Sequence, residues 1–130
     1  QELPEKLNKF VIANFMDKND KCFFDKVSNP DDIGFLRFRD KLLNENSIVA
    51  INLIKLTKLI NNENNFNENH NKRNNINRKI NEKDNYNKNE YLKIAENILK
   101  AFYSEYEKYS VHEAIYGLAV EEFLDLNSIF

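Results

Sequence analysis

Tryptophan is absent from this 130-residue chain, cysteine and methionine occur once each, and glycine and proline only twice each. The single cysteine, Cys22, excludes an intramolecular disulfide and fits a reducing compartment. So few glycines and prolines leave little material for the many tight turns of a β-rich fold. The shortage of glycine also means that no phosphate-cradling Gly-rich loop and no G-x-S-x-G nucleophile elbow is present. No apolar run approaches the roughly 18–20 residues that span a bilayer. Net charge is only −2, but it is unevenly spread.

What is abundant is asparagine. Between Asn61 and Asn89, 14 of 29 residues are Asn. The only large apolar residues there, Phe66, Ile76, Ile80 and Tyr86, follow neither a helical nor a strand period. Such a segment has no face to bury. Ordering its backbone costs roughly 1–2 kcal/mol per residue with little to offset it. It is therefore expected to be a disordered, low-complexity insert between ordered stretches 4–60 and 90–126 of one helical domain. Loop closure grows only with the logarithm of length, so an insert of this size is thermodynamically cheap.

The flanks carry helical periodicity. Pro4 precedes Leu7, Phe10, Val11 and Phe15, which predicts a first helix near residues 4–17. Cys22, Phe23, Phe24 and Val27 form a short apolar linker. Ser28-Asn29-Pro30-Asp31-Asp32 offers a cap residue, a first-turn proline and two carboxylates for the helix dipole. It predicts a second helix over 30–44, with Ile33, Phe35, Leu36, Phe38, Leu42 and Leu43 as its apolar residues. Ser47 would cap a third, centrally buried helix through Ile60. A fourth, over 90–109, aligns Tyr91, Ala95, Ile98, Leu99, Phe102, Tyr106 and Tyr109 on one face. Ser110-Val111-His112-Glu113 matches a capping box and opens a fifth, over 110–124, where Ala114 and Gly117 suggest close approach of another helix. The expected fold is all-α: a single small helical bundle, or stacked helix pairs, of about five helices.

Catalytic constellations do not assemble. His112-Glu113 begins an H-E-x-x-H zinc motif, but Tyr116 stands where the second histidine belongs, and the other histidine, His70, lies in the insert. Asp17, Asn19 and Asp20 hint at a calcium loop, yet its required glycine and glutamate positions hold Cys22 and Ser28. A Cys22–His112 nucleophile pair lacks any flanking oxyanion-hole signal, and Phe23-Phe24 point to burial of the thiol. No catalytic, cofactor-binding or metal-binding residue is therefore assigned, and the chain is expected not to be an enzyme.

Two surfaces remain. Aromatic residues Phe23, Phe24, Tyr103, Tyr109 and Tyr116 are candidates for contact with a protein partner or a second copy, because aromatics are enriched at binding hot spots. Arg37, Arg39, Lys41, Lys55 and Lys58 could form a basic patch across the second and third helices. Residues 90–130 carry 3 basic against 8 acidic side chains, which argues against nucleic-acid binding by that third of the chain. The chain begins at Gln1, and is read as a piece of a larger intracellular protein, cytoplasmic or nuclear. The expected function is a non-enzymatic protein–protein interaction module. The alternative is an accessory or regulatory domain of a chromatin- or transcription-associated protein acting through the basic patch.

Overall fold

A computed structural model describes residues 2–71, 88–104, 108 and 113–128. It is all-α. Among the described residues there are four α-helices and no extended strand: α1 (Glu2–Phe15), α2 (Leu43–Asn71), α3 (Lys88–Phe102) and α4 (Glu113–Ser128). A single 3-10 turn, Gly34–Arg37, lies in the long connection between α1 and α2.

The centre of the fold is α2, which packs against α1, α3 and α4. Its apolar residues cover most of the helix, and one exposed stripe through Glu45, Ile48, Asn52, Lys55 and Leu59 remains open. Ala50, Leu53 and Ile54 are completely buried, and Ile51 and Leu56 nearly so. Two hydroxyls share this core without a side-chain partner on another helix. Ser47 Oγ donates to Leu43 O at 2.7 Å and Thr57 Oγ1 donates to Leu53 O at 2.9 Å, each satisfied by the preceding turn of its own helix.

On α3, Tyr91, Ile94, Ala95, Ile98, Leu99 and Phe102 form one buried stripe at spacings of three and four. Glu96 and Lys100 pair at 2.6 Å on the opposite, wet side. In α4, Tyr116, Ala119 and Leu126 turn inward. The Tyr116 hydroxyl donates to Leu99 O at 2.7 Å, and Lys58 pairs with Glu122 at 2.5 Å, so α4 is tied to both α3 and α2.

Several boundaries differ from the sequence expectation. The helix foreseen over 30–44 does not form. Pro30 and Asp31 instead occupy a turn closed by Asp32 N donating to Asn29 O at 3.1 Å, and Gly34 has φ +57°, outside the right-handed helical region. Only Leu43 of its apolar residues reaches the core, and it belongs to α2. Ser47 is therefore an interior residue of α2 rather than its cap. The helix also continues through Asn71, eleven residues past Ile60, into the asparagine-rich run. Extending a helix already nucleated by packing needs only one more hydrogen bond per residue, so weak propensity does not stop it at Ile60. The expectation of disorder for 72–87 lies outside the described residues, as do Tyr106, Tyr109 and residues 110–112 of the foreseen capping box. α1 buries Ile12, with Val11 and Phe15 partly covered, while Leu7 and Phe10 face outward instead of joining an inner stripe.

Candidate interaction surface

The 27 residues between α1 and α2 are irregular yet tightly tied, and they carry the most unusual surface among the described residues. The connection starts with a reversal. Asp17 Oδ1 accepts from Asn19 N and Asp20 Oδ1 accepts from Cys22 N, both at 2.9 Å. Lys21, at φ 65°, brings the chain back so that Asp17 N donates to Cys22 O at 2.8 Å and Phe24 N to Phe15 O at 3.0 Å. Short acidic side chains suit such turns because they mimic backbone acceptors.

Two side chains then anchor the reversal to the start of α2. Asn46 is fully buried, accepts at Oδ1 from Phe23 N at 2.7 Å, and donates through Nδ2 to Phe23 O and Leu42 O, both at 2.9 Å. It thus pairs with the Phe23 backbone much as a neighbouring strand would. Lys41 Nζ bridges Asp17 Oδ2 at 2.7 Å and Asp20 Oδ2 at 2.6 Å. Burial opposes the charge of Lys41, but hydrogen bonds to the two carboxylates outweigh it and raise its pKa. Asp17 is held below its ordinary value, chiefly by the Lys41 hydrogen bond and then by the Asn19 backbone. The Cys22 thiol is pushed up to about 12 by burial and by the nearby Asp20 charge, so it stays protonated.

Beyond this anchor the chain opens into a compact loop whose neck is closed at Asp25 and Asp40. Asp25 N donates to Asp40 O at 2.9 Å, and Asp40 N donates to Asp25 Oδ1 at 3.1 Å. Beside the neck, the Arg39 guanidinium stacks on the Phe24 ring at 3.9 Å and Lys41 Nζ lies 4.8 Å from the same ring centroid. Inside the head, Arg37 Nε donates to Asp32 O at 2.7 Å, Asp31 N to Asn29 Oδ1 at 3.1 Å, and Lys26 Nζ to Leu36 O. The polar groups thereby bind one another and the backbone, while the large apolar side chains point out. Ile33 is 72% exposed, Phe35 91%, Leu36 59% and Phe38 70%. Phe35 and Phe38 remain near one another, with ring centroids 6.3 Å apart. Loops with close ends that are packed by their own side chains are frequently functional, and clustered exposed apolar groups mark contact sites.

The residues singled out from sequence distribute unevenly. Phe23 and Tyr116 are buried, Phe23 under the Asn46 clamp and Tyr116 through its bond to Leu99, so neither is offered to a partner. Phe24 is half-covered by Arg39 and Lys41. Tyr103 is 72% exposed at the end of α3, and Tyr109 lies outside the described residues. The basic patch is dispersed because its second helix does not form. Lys41 is matched by Asp17 and Asp20, and Lys58 by Glu122, whose carboxyl is held low by that hydrogen bond. Arg37 and Arg39 belong to the loop, and Lys55 is exposed on α2. Sequence reasoning missed Ile33, Phe35, Leu36 and Phe38 as surface residues. The signal that could have found them is Gly34, placed where a helix would want a stronger former.

A second feature is a groove of about 410 Å³ between α1 and α2, with Leu3, Leu7, Val11, Val49, Leu56 and Leu59 among its lining residues. Among the described residues, no helix is long and apolar enough to cross a membrane, and no group of three His, Cys, Asp or Glu is placed to hold a metal ion. No protein-family model matches the chain, and neither the curated proteins nor the solved structures contain a significant match.

Proposed function

We propose that this chain is a non-enzymatic helical protein–protein interaction module, and that the loop closed by Asp25 and Asp40 presents its contact surface. One observation carries the reading: four large apolar side chains face solvent from a loop whose polar groups are bonded inward. A loop held in shape before binding gives up less conformational entropy when a partner docks. The most chemically suggestive side chain, Cys22, favours the same reading, because a buried thiol with a pKa near 12 is a poor nucleophile. The ion pairs of Lys41 and Lys58 weigh against a nucleic-acid-linked regulatory role, since lysines already matched by carboxylates release few counterions on phosphate binding.

The test is capture from native lysate by the wild type and by a Phe35→Ser/Phe38→Ser variant, washed across a salt series. Both chains should melt alike, because neither ring is in the core. The wild type should retain a defined protein at high salt and the variant should lose it. Identical captures by both chains would remove the loop from the mechanism, and loss of every partner at moderate salt would point to charge-driven binding instead. Turnover by the isolated chain would overturn the non-enzymatic reading.

A further inference from the structure

Helices α1 and α2 each carry more apolar side chains than the core takes up. From α1 the core receives Ile12, with Val11 and Phe15 packed partly against it, while Leu3 and Leu7 stay 77% and 60% exposed. Along the open stripe of α2, Ile48 is 44% and Leu59 51% exposed. The outer face of an amphipathic helix is ordinarily polar. Here Leu3 and Leu7 meet Leu59 in the groove of about 410 Å³ between the two helices.

The spacing of the lining residues shows what kind of group fits. Leu3, Leu7 and Val11 stand four apart on α1, and Val49, Leu56 and Leu59 stand seven and three apart on α2. Each row follows the axis of its own helix, for about 12 Å on α1 and about 15 Å on α2. Two helices bordering a shared groove with such rows are what a third helix packs against in a bundle, its side chains entering between theirs. A small ligand instead needs a site closed round most of its surface, which leucines more than half exposed do not supply.

Charge narrows the sequence of that helix. Lys55 lines the groove, and no acidic side chain does. Lys55 is exposed and, among the described residues, no carboxylate forms an ion pair with it. Glu122 feels its charge but is bonded to Lys58. Glu45 shares the open stripe of α2 but stands ten residues earlier, about 15 Å along the axis and beyond the Val49 end of the groove. An apolar groove with one unmatched cation is complementary to an apolar stripe flanked by a carboxylate.

We propose that the groove between α1 and α2 is the docking site for an amphipathic helix of a partner protein, about three turns long, whose apolar stripe lies along Leu3, Leu7, Leu56 and Leu59 and whose carboxylate meets Lys55. This surface shares no residue with the loop closed by Asp25 and Asp40, and so goes beyond the reading given to that loop.

The test is selection of a displayed library of helix-forming peptides, about four turns long and randomised in sequence, on the full chain. The enriched peptides are then titrated by fluorescence anisotropy. Their sequences should place apolar residues three and four apart, with Glu or Asp on the flank of that stripe. Leu7→Gln/Leu59→Gln should bind them at least about tenfold more weakly. Its melting temperature should stay near that of the wild type, because both side chains are already more than half exposed. Lys55→Glu should weaken the acidic peptides at least about tenfold and tighten the same peptides carrying lysine in place of the acid. Phe35→Ser/Phe38→Ser should bind them like the wild type, which separates a failure here from a failure of the loop reading. Enriched peptides indifferent to Leu7→Gln/Leu59→Gln, a charge preference unmoved by Lys55→Glu, or no enrichment would each overturn the proposal. Should no peptide be enriched, self-association lost in Leu7→Gln/Leu59→Gln would assign the groove to a second copy. Saturable, Lys55-dependent uptake of dodecanoate would in that case assign it to a lipid carboxylate.

Discussion

Replacing Asn46 by alanine should unfasten the connection that carries the exposed loop. The amide makes three hydrogen bonds, to Phe23 N at 2.7 Å and to Phe23 O and Leu42 O at 2.9 Å. Leu42 O also accepts from the Asn46 backbone N–H at 3.0 Å, so it keeps a partner after truncation. The N–H and C=O of Phe23 lose theirs, and Phe23 is only 4% exposed. A buried polar group left unpaired costs about 1–3 kcal/mol, so two such groups and a small cavity sum to about 3–5 kcal/mol. Domains of this size are stable by about 5–15 kcal/mol, which makes the loss a large share of the total. It should appear in urea denaturation as a midpoint lowered by about 2 M. Asn46→Asp isolates the donor half of the clamp. Its carboxylate can accept from Phe23 N–H but, while ionised, faces the Phe23 and Leu42 carbonyl oxygens without a proton. The charged form is thus disfavoured in the folded state, and the folded carboxyl titrates above the unfolded one. Stability relative to wild type should then rise as pH falls through the carboxyl range. An alanine variant within about 0.5 kcal/mol of wild type would refute the clamp, because that loss is below the cost of even one unpaired buried group.

Cys22 should resist thiol reagents in the native state. With its pKa near 12, its thiolate fraction at pH 8 is about a thousandfold below that of a free cysteine, and labelling should appear only with denaturant; native labelling at the free-thiol rate would contradict its burial. Gly34→Ala should cost about 1–2 kcal/mol, although nothing lies within 4 Å of the new Cβ, because φ +57° is strained for any residue with a side chain. Thermal melts should detect this loss, and an unchanged melt would mean that the 3-10 turn does not depend on glycine. Lys41→Met should flatten the acid limb of the stability curve. Asp17 titrates below its ordinary 3.8 when folded, so its stabilising contribution is present above that value and is lost as pH falls through the depressed one. An unchanged slope below about pH 4 in the variant would show that the Lys41 contact does not set the Asp17 titration.

The parts of the fold that were legible in the sequence are those where one face meets one core. The stripe from Tyr91 to Phe102 is such a case: Tyr91, Ala95, Ile98, Leu99 and Phe102 are buried as the spacing predicts, and Ile94 joins them. The apolar run from Ile48 to Ile60 was legible as the central helix, although Ile48 and Leu59 lie on its exposed face rather than in the core. The segment from Pro30 to Leu42 failed for an identifiable reason. Ser28 to Asp32 contains the residues of a helix start, but Asn-Pro-Asp is equally suited to a turn with proline at its second position. The apolar residues that follow could line a helix only if a core lay beside them, and α2, α3 and α4 already complete theirs. Asn46 was illegible for a different reason. Its value depends on meeting a backbone 23 residues away, and no local pattern marks that meeting. Two members of the candidate partner set, Phe23 and Tyr116, are buried, and sequence could not show it, because a tyrosine such as Tyr116 looks alike whether its hydroxyl reaches water or Leu99 O.

The long connection then has a physical logic that neither a linker nor a helix would give. A flexible linker exposing Ile33, Phe35, Leu36 and Phe38 would collapse onto the nearest apolar surface, since burying one such side chain is worth about 1.5–3 kcal/mol. The groove between α1 and α2 offers surface of that kind within the same chain. The loop does not fold back, because its shape is set by bonds that collapse would break: the Asp25–Asp40 neck, the Arg37–Asp32 and Lys26–Leu36 contacts, and the Asn46 clamp beneath. These bonds, worth about 0.5–1.5 kcal/mol each, act together on one short loop and oppose its collapse. Exposure of the apolar head is thus a consequence of how the polar groups are arranged. The same arrangement makes the surface vulnerable at its base. Loosening Asn46 or Lys41 should release the head to bury itself against its own chain, and so diminish the proposed binding without altering any of the four exposed apolar residues.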